Sequence, residues 1–224
     1  MLKYYAAGGN LTRRMTQLLP NLDGEPRHCV EVRAFPSLEK LSLDGLPNLE
    51  RLLKVESVEM FPHLSNCTII NCPKLVLPHL SSVEYLFVDG CNNELLRQIS
   101  SFYGLTTLHL HENEDVTLLP EGMLRNLTSL QTLTISDFLK LMELPNEPFN
   151  LALEHLCINR CGELESLPEQ LWEGTLFLRT IDIVQCEGLR SLPEGIRQLA
   201  SLEVLTIRGC STLKKRCEEQ RGED

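Results

Sequence analysis

The sequence predicts an α/β solenoid, and three observations predict it. A nine-position phrase, Leu-x-x-Leu-x-Ile-x-x-Cys, stands complete at Leu153, Leu156, Ile158, Cys161 and at Leu202, Leu205, Ile207, Cys210. Leu178, Ile181, Ile183 and Cys186 repeat it with one conservative change. Looser copies sit at Leu38/Leu41/Leu43, Leu64/Cys67/Ile69/Cys72, Val83/Leu86/Val88/Cys91, Leu105/Leu108/Leu110/Asn113 and Leu130/Leu133/Ile135. The first positions are separated by 26, 19, 22, 25, 23, 25 and 24 residues, so the phrase is a period and not a coincidence. Between copies a second phrase recurs, Leu-x-x-Leu-Pro, clearest at Leu164 to Pro168 and Leu189 to Pro193.

Each element follows from these phrases. Alternating apolar residues over a short run read as a strand with one buried face; Leu156 and Ile158 point inward and Cys157 outward. One strand cannot bury that face alone, so neighbouring copies stack into a continuous parallel sheet. Eight strands at about 4.8 Å spacing make a sheet roughly 35 Å across. Pattern and period together are the leucine-rich-repeat signature. The expected form is a horseshoe, with about eight short parallel strands on the concave face and irregular or short helical turns on the convex face.

At the ninth position the chain turns inward, and the likeness to leucine-rich repeats implies that an Asn or Cys side chain there bonds backbone groups that the turn leaves unpaired. Cys72, Cys91, Asn113, Cys161, Cys186 and Cys210 hold that position, whereas Leu46 and Phe138 break it. Weaker local order is therefore expected in the first and fifth coils. In the second phrase the leucines supply the far side of the core, and Pro ends ladder pairing. Residues 122–127 and 195–199 suit one short helical turn each, Glu94 to Phe102 a slightly longer helix, and the 19-residue second copy has no room for one. The domain reading is an irregular segment or degenerate first coil over 1–34, repeats over 35–213, and a charged C-terminal tail over 214–224. Neither end offers a convincing cap for the leucine core.

Net charge of −10 argues against a nucleic-acid or anionic-membrane surface. No apolar run approaches the eighteen residues of a membrane span, and the N-terminus lacks the apolar block of a secretory signal. Of nine cysteines, five follow the turn position and Cys67 sits at an inward strand position, so they read as structural hydrophobes in a reducing, cytoplasmic compartment.

Phe35-Pro-Ser-Leu-Glu-Lys-Leu-Ser-Leu43, Cys72-Pro-Lys-Leu75, Leu119-Pro-Glu-Gly-Met-Leu124, Leu127-Thr-Ser-Leu130-Gln-Thr-Leu-Thr-Ile135 and Leu192-Pro-Glu-Gly-Ile196 carry a family resemblance. The chain from about residue 31 onward resembles the leucine-rich-repeat region of plant intracellular nucleotide-binding disease-resistance proteins, the coiled-coil class especially. The resemblance implies a protein-recognition and autoinhibitory sensor module. Its partners would be a pathogen effector or a guarded host protein, and the nucleotide-binding domain of the parent receptor. No Gly-x-x-x-x-Gly-Lys-Ser/Thr phosphate loop occurs. No cofactor is therefore expected in this chain, with ATP or ADP belonging to a domain absent from it. Two other uses of such repeats are a substrate receptor of a ubiquitin ligase and a secreted enzyme inhibitor. The first needs an F-box for which residues 1–34 are too short and polar; the second needs a signal peptide and disulfide caps.

The repeat lattice assigns the outward residues of the concave sheet, and these are the candidate partner-binding positions: Ile70, Tyr85, Phe87, Asp89, His109, His111, Thr134, His155, Asn159, Asp182 and Arg208. Ile70, Tyr85 and Phe87 are unusually apolar for a solvent-facing sheet, and exposed aromatics beside polar groups anchor protein interfaces. His109 and His111 share a face, with Asp89 beside His111. A zinc site would use such groups, but the sequence shows no fourth ligand, and a histidine–carboxylate pair is the expectation. His155 and Cys157 also share a face, yet at roughly 6–7 Å and with no orienting acid they make no nucleophile pair. No catalytic residue and no enzyme activity is expected.

Overall fold

The computed structural model describes residues 35–52, 61–90, 92–147, 152–172 and 175–220. The expectations for residues 1–34, for Cys91 and for the last four residues lie outside the described residues. Eight strands form one parallel sheet in chain order. They are β1 (Lys40–Asp44), β2 (Asn66–Ile70), β3 (Tyr85–Asp89), β4 (Thr107–Asn113), β5 (Thr132–Phe138), β6 (His155–Asn159), β7 (Thr180–Val184) and β8 (Val204–Arg208). Leu41 pairs with Cys67, Cys67 with Leu86, Leu86 with Leu108, and the same register runs on to Ile181 and Leu205. Equivalent positions of successive coils are thus laid edge to edge.

This register creates two apolar rows behind the sheet. One holds Leu41, Cys67, Leu86, Leu108, Leu133, Leu156 and Ile181; the other holds Leu43, Ile69, Val88, Leu110, Ile135, Ile158 and Ile183, and all are buried. The far side of the same core is made by leucines of the second phrase, among them Leu75, Leu141, Leu164 and Leu189. Burying one such side chain fully is worth about 1.5–3 kcal/mol, so the rows dominate the stability of the stack. At the last coil the row runs out of neighbours, and Leu205 is 43% exposed.

The turn row behaves as its chemistry requires. Asn113 Oδ1 accepts hydrogen bonds from the Asp115 and Val116 amides at 2.9 and 2.7 Å. The Cys161 and Cys186 thiols each point at the strand carbonyl two residues back, at 3.6 Å in both cases. Cys72 does the same toward Ile70 at 3.3 Å.

The expected weakness of the fifth coil is not found. β5 is seven residues long, its Phe138 pairs with Asn113 of β4, and the Phe138 ring is fully buried. Ring volume fills the turn where a small polar side chain would have bonded backbone. The first coil is likewise not shortened, since β1 keeps five residues and Leu46 packs partly buried on the core.

Among the described residues, helix is confined to the connections behind the sheet and the C-terminal end. α1 (Asn93–Ile99) is capped by Asn92, whose side chain accepts from Leu95 N, and buries Leu95, Leu96 and Ile99. α2 (Met123–Asn126) is a single turn, and 3₁₀ turns cover Glu169–Trp172 and Glu194–Gln198. Carboxylates tie these turns across coils. Glu147 accepts from the amides of Gly122 and Leu124 at 2.9 and 3.2 Å, and Glu169 accepts from Glu194 and Gly195 at 2.8 and 3.0 Å. The acid of Leu167-Pro168-Glu169 therefore holds the next coil's orphan amides, which gives the Leu-Pro-Glu phrase a physical role. The segment read as a charged tail begins inside a helix, α3 (Ser211–Gln220), with Lys214, Lys215 and Arg216 exposed on it.

Candidate recognition surface on the concave sheet

All eleven candidate residues lie in the sheet and on its open side. Ile70, Tyr85, Phe87, Asp89, His109, His111, Thr134, Asn159 and Asp182 are half-buried, while His155 and Arg208 are exposed. The alternation that buries Leu86 and Val88 forces Tyr85, Phe87 and Asp89 to the opposite face.

The structure brings some of these residues together and leaves others apart. Parallel pairing sets Tyr85 beside Thr107, Phe87 beside His109, and Asp89 beside His111. Four rings then form one patch. Tyr85 and His109 have centroids 5.5 Å apart, Phe87 and His109 6.4 Å, and Phe87 and His111 6.2 Å with planes inclined by 23°. Centroid separations of about 4.5–7 Å are those of attractive aromatic pairs. Ile70 lies opposite Asp89 at one margin and Thr134 opposite His109 at the other. Farther along, Asp182 lies opposite Cys157 and Arg208 opposite Val184, with no ring among them. Burial pushes the His109 imidazole below its ordinary value, which favours the neutral ring within the patch.

A polar relay borders the rings. Asp89 Oδ2 is 3.3 Å from His111 Nδ1, Asp137 Oδ2 is 3.2 Å from His111 Nε2, and Asp137 Oδ1 is 3.0 Å from Arg160 Nε. Four successive coils contribute one group each. The expected histidine–carboxylate pair is present, but the histidine has a second carboxylate on its other nitrogen. Asp89 Oδ1 is buried with no hydrogen-bond partner among the described residues.

Asp137, Arg160 and Glu112 were not among the sequence candidates. They occupy the residue just after the outward triplet, and there the backbone is left-handed in every coil. Gly45, Asn71, Gly90, Glu112, Asp137, Arg160, Gln185 and Gly209 have φ of 63, 52, 69, 48, 59, 54, 54 and 69°. The signal was available: Gly or Asn holds this column in coils one, two, three and eight, as a φ > 0 position favours. Beside the relay, the loops after β2, β3 and β4 border an open cleft of about 440 Å³ lined by Asn71, Asn92, Asn113, Glu112, Glu114 and Asp115, among others.

The Cys157 thiol is raised above its ordinary value by burial and then by the Asp182 carboxylate, the reverse of the activation a catalytic thiolate needs.

The stacked parallel strands, inward leucine rows and Asn/Cys turns define a leucine-rich-repeat protein. No family model matches the chain. The leucine-rich repeat domain of the type III effector XopL superposes with a TM-score of 0.56 over 80% of this chain and 71% of that one, at 22% identity, which concerns the fold alone. The sequence relatives go further. RGA4 of Solanum bulbocastanum, which carries the name of a disease resistance protein, is 42% identical over 194 residues, 86% of this chain and 20% of that protein. RGA1 of the same species, similarly named, is 44% identical over 111 residues, half of this chain and 11% of that protein. TMV resistance protein N of Nicotiana glutinosa is 27% identical over 212 residues, 80% of this chain and 18% of that protein. The homologues of this chain over most of its length are thus plant disease-resistance proteins, and the chain spans a fifth or less of each of these three. No described helix is long and apolar enough to cross a membrane.

Proposed function

We propose that this chain is the protein-recognition and autoinhibitory sensor module of a plant disease-resistance receptor, working in the cytoplasm. In this reading it recognises a pathogen effector or a guarded host protein on the concave face, and otherwise restrains the nucleotide-binding domain of its parent. ATP or ADP is held by that domain, and this chain performs no catalysis. The observation that carries the reading is the four-ring patch of Tyr85, Phe87, His109 and His111 on the open side of the sheet, in a chain whose homologues are disease-resistance proteins. These rings have no core duty, since the core is filled from the other face. Large, pre-packed aromatic surfaces flanked by fixed charges are typical interface anchors.

The test is a binding screen of the purified chain against recombinant pathogen effectors and the host proteins they target. Tyr85→Ala combined with Phe87→Ala is expected to weaken a partner found this way by at least about thirtyfold, the scale of a hot spot of roughly 2 kcal/mol. Thr180→Ala with Val184→Ala, outside the patch, is expected to change affinity by less than about threefold, within the near-neutral class of contacts. Undiminished binding by the ring variant, with the β7 variant losing it, would contradict the assignment. Nine reactive thiols in denaturant are expected for a cytoplasmic protein with every cysteine reduced.

A further inference from the structure

We propose that the ring patch on β3 and β4 takes a basic protein segment, with an arginine side chain laid on Phe87 and its guanidinium reaching the acidic rim. The inference rests on the recognition role proposed above and names the chemistry of the partner.

The open face supplies a ring for that side chain to lie on. Phe87 is half-buried and supported by His109 and His111 at centroid distances of 6.4 and 6.2 Å, and Tyr85 extends the same surface through His109. A guanidinium over an aromatic face is attracted by the ring quadrupole and stacks on it as a plane. Burial holds His109 toward its neutral form, so it adds ring surface without a repelling charge.

Negative charge frames the rings at both ends of the strands. Exposed Glu84 precedes Tyr85, Asp89 ends β3, and Glu112 and Asp137 follow the outward triplets of β4 and β5. Phe87 and Asp89 share a face at about 6–7 Å, a span that an arginine stem and its N–H fork cover. His111 does not cancel this charge. In either protonation state it lies between Asp89 and Asp137, at 3.3 and 3.2 Å, two carboxylates against one ring.

No cation of the chain already fills the role. β2, β3, β4 and β5 contain no Lys or Arg. Lys40 stands two strands away from Tyr85, and Arg160 is held by Asp137 at 3.0 Å. A net charge of −10 adds a field that draws in basic partners and repels acidic ones. Arginine suits the patch better than lysine, because its flat group stacks on a ring and keeps edge donors for carboxylates, whereas an ammonium is a strongly hydrated point charge.

The experiment selects a random peptide library on the full chain after depletion on the Phe87→Leu variant, which keeps an apolar side chain and removes the ring. The leading peptide is then measured by fluorescence anisotropy. Arginine should be enriched among the retained peptides. Arg→Gln in the leading peptide should weaken binding by about tenfold or more, and Arg→Lys by about threefold. Glu84→Gln combined with Glu112→Gln in the protein should cost about threefold, and raising ionic strength from about 0.05 to about 0.5 M should weaken binding further. Absence of any peptide that depends on Phe87, or equal binding by the Arg→Gln or Arg→Lys peptide, would overturn the inference. Ring-dependent peptides without a cation would overturn it too, yet leave the recognition face standing. That face is lost instead if Tyr85→Ala with Phe87→Ala weakens no partner in the protein screen.

Discussion

Coils two to five and coils six to eight are built on the same interior and carry different surfaces. Behind the sheet, Leu86, Leu108 and Leu133 of the first group meet the same kind of neighbour as Leu156 and Ile181 of the second, and all are buried. In front, the first group presents four clustered rings and the Asp89–His111–Asp137 relay, which Arg160 of coil six closes, while β6 to β8 present His155, Cys157, Asn159, Thr180, Asp182, Val184, Val204, Thr206 and Arg208, with a single ring among them. The inward positions are dictated by stacking, because a vacancy in one coil is felt by two others. The outward positions carry no such demand. The ring chemistry concentrated in coils three and four is what the proposed recognition role draws on.

The comparison can be broken most forcefully at its interior. Leu156→Ala should destabilise by about 2–5 kcal/mol in denaturant unfolding, the range for a buried leucine that leaves a cavity. Leu205→Ala occupies the same row in the last coil, yet with 43% of its surface already exposed it leaves no closed cavity and should lose about half of that or less. Equal losses would mean that the two coils are packed alike, contrary to the structure. Next in size is Asn113→Ala, which strands the amides of Asp115 and Val116 and should lower stability by about 1–3 kcal/mol. A smaller loss would show that water replaces Asn113 at the turn.

Gln185→Gly goes the other way. It relieves a left-handed residue at φ 54° and should raise stability by about 0.5–1 kcal/mol after the entropy of glycine is set against it. The smallest effect belongs to the exposed pair Arg190–Glu165, joined at 2.7 Å, where Arg190→Ala should change stability by less than about 1 kcal/mol. Chemical reactivity sharpens the same inside–outside division. The Cys67 thiol, fully buried and pushed up to about 12 by desolvation and then by Cys72, should resist alkylation in the native protein, while exposed Cys217 reacts.

Much of this was legible in the sequence because the phrase is tied to geometry at every position. Inward and outward residues differ by parity alone, so finding Leu156 and Ile158 fixes the facing of His155, Cys157 and Asn159, and each predicted outward triplet coincides with an observed strand. The candidate residues therefore lay where expected. What stayed hidden was of two kinds. Phe138 broke the Asn/Cys pattern and was expected to weaken the turn, yet β5 is lengthened there, Phe138 pairs with Asn113 and the Leu139 amide donates to the Asn113 carbonyl, while the ring fills the space. Glu112, Asp137 and Arg160 follow the strand triplets, where charged residues ordinarily signal nothing but solvent; only the left-handed backbone turns them toward the sheet. Helix α3 was hidden for a similar reason, since its many charged and polar residues offer no apolar stripe to announce it.

Leu86 and Phe87, neighbours on one strand, test the central claim most directly, because the account sends one into the core and the other to the open face. Unfolding free energies of Leu86→Ala and Phe87→Ala should be measured side by side. The account predicts a loss of about 2–5 kcal/mol for Leu86→Ala and of at most about 1 kcal/mol for Phe87→Ala, the scale of a half-buried ring whose neighbours are surface groups. Equal losses, or the larger loss at Phe87, would contradict the packing on which the horseshoe and its proposed recognition face depend.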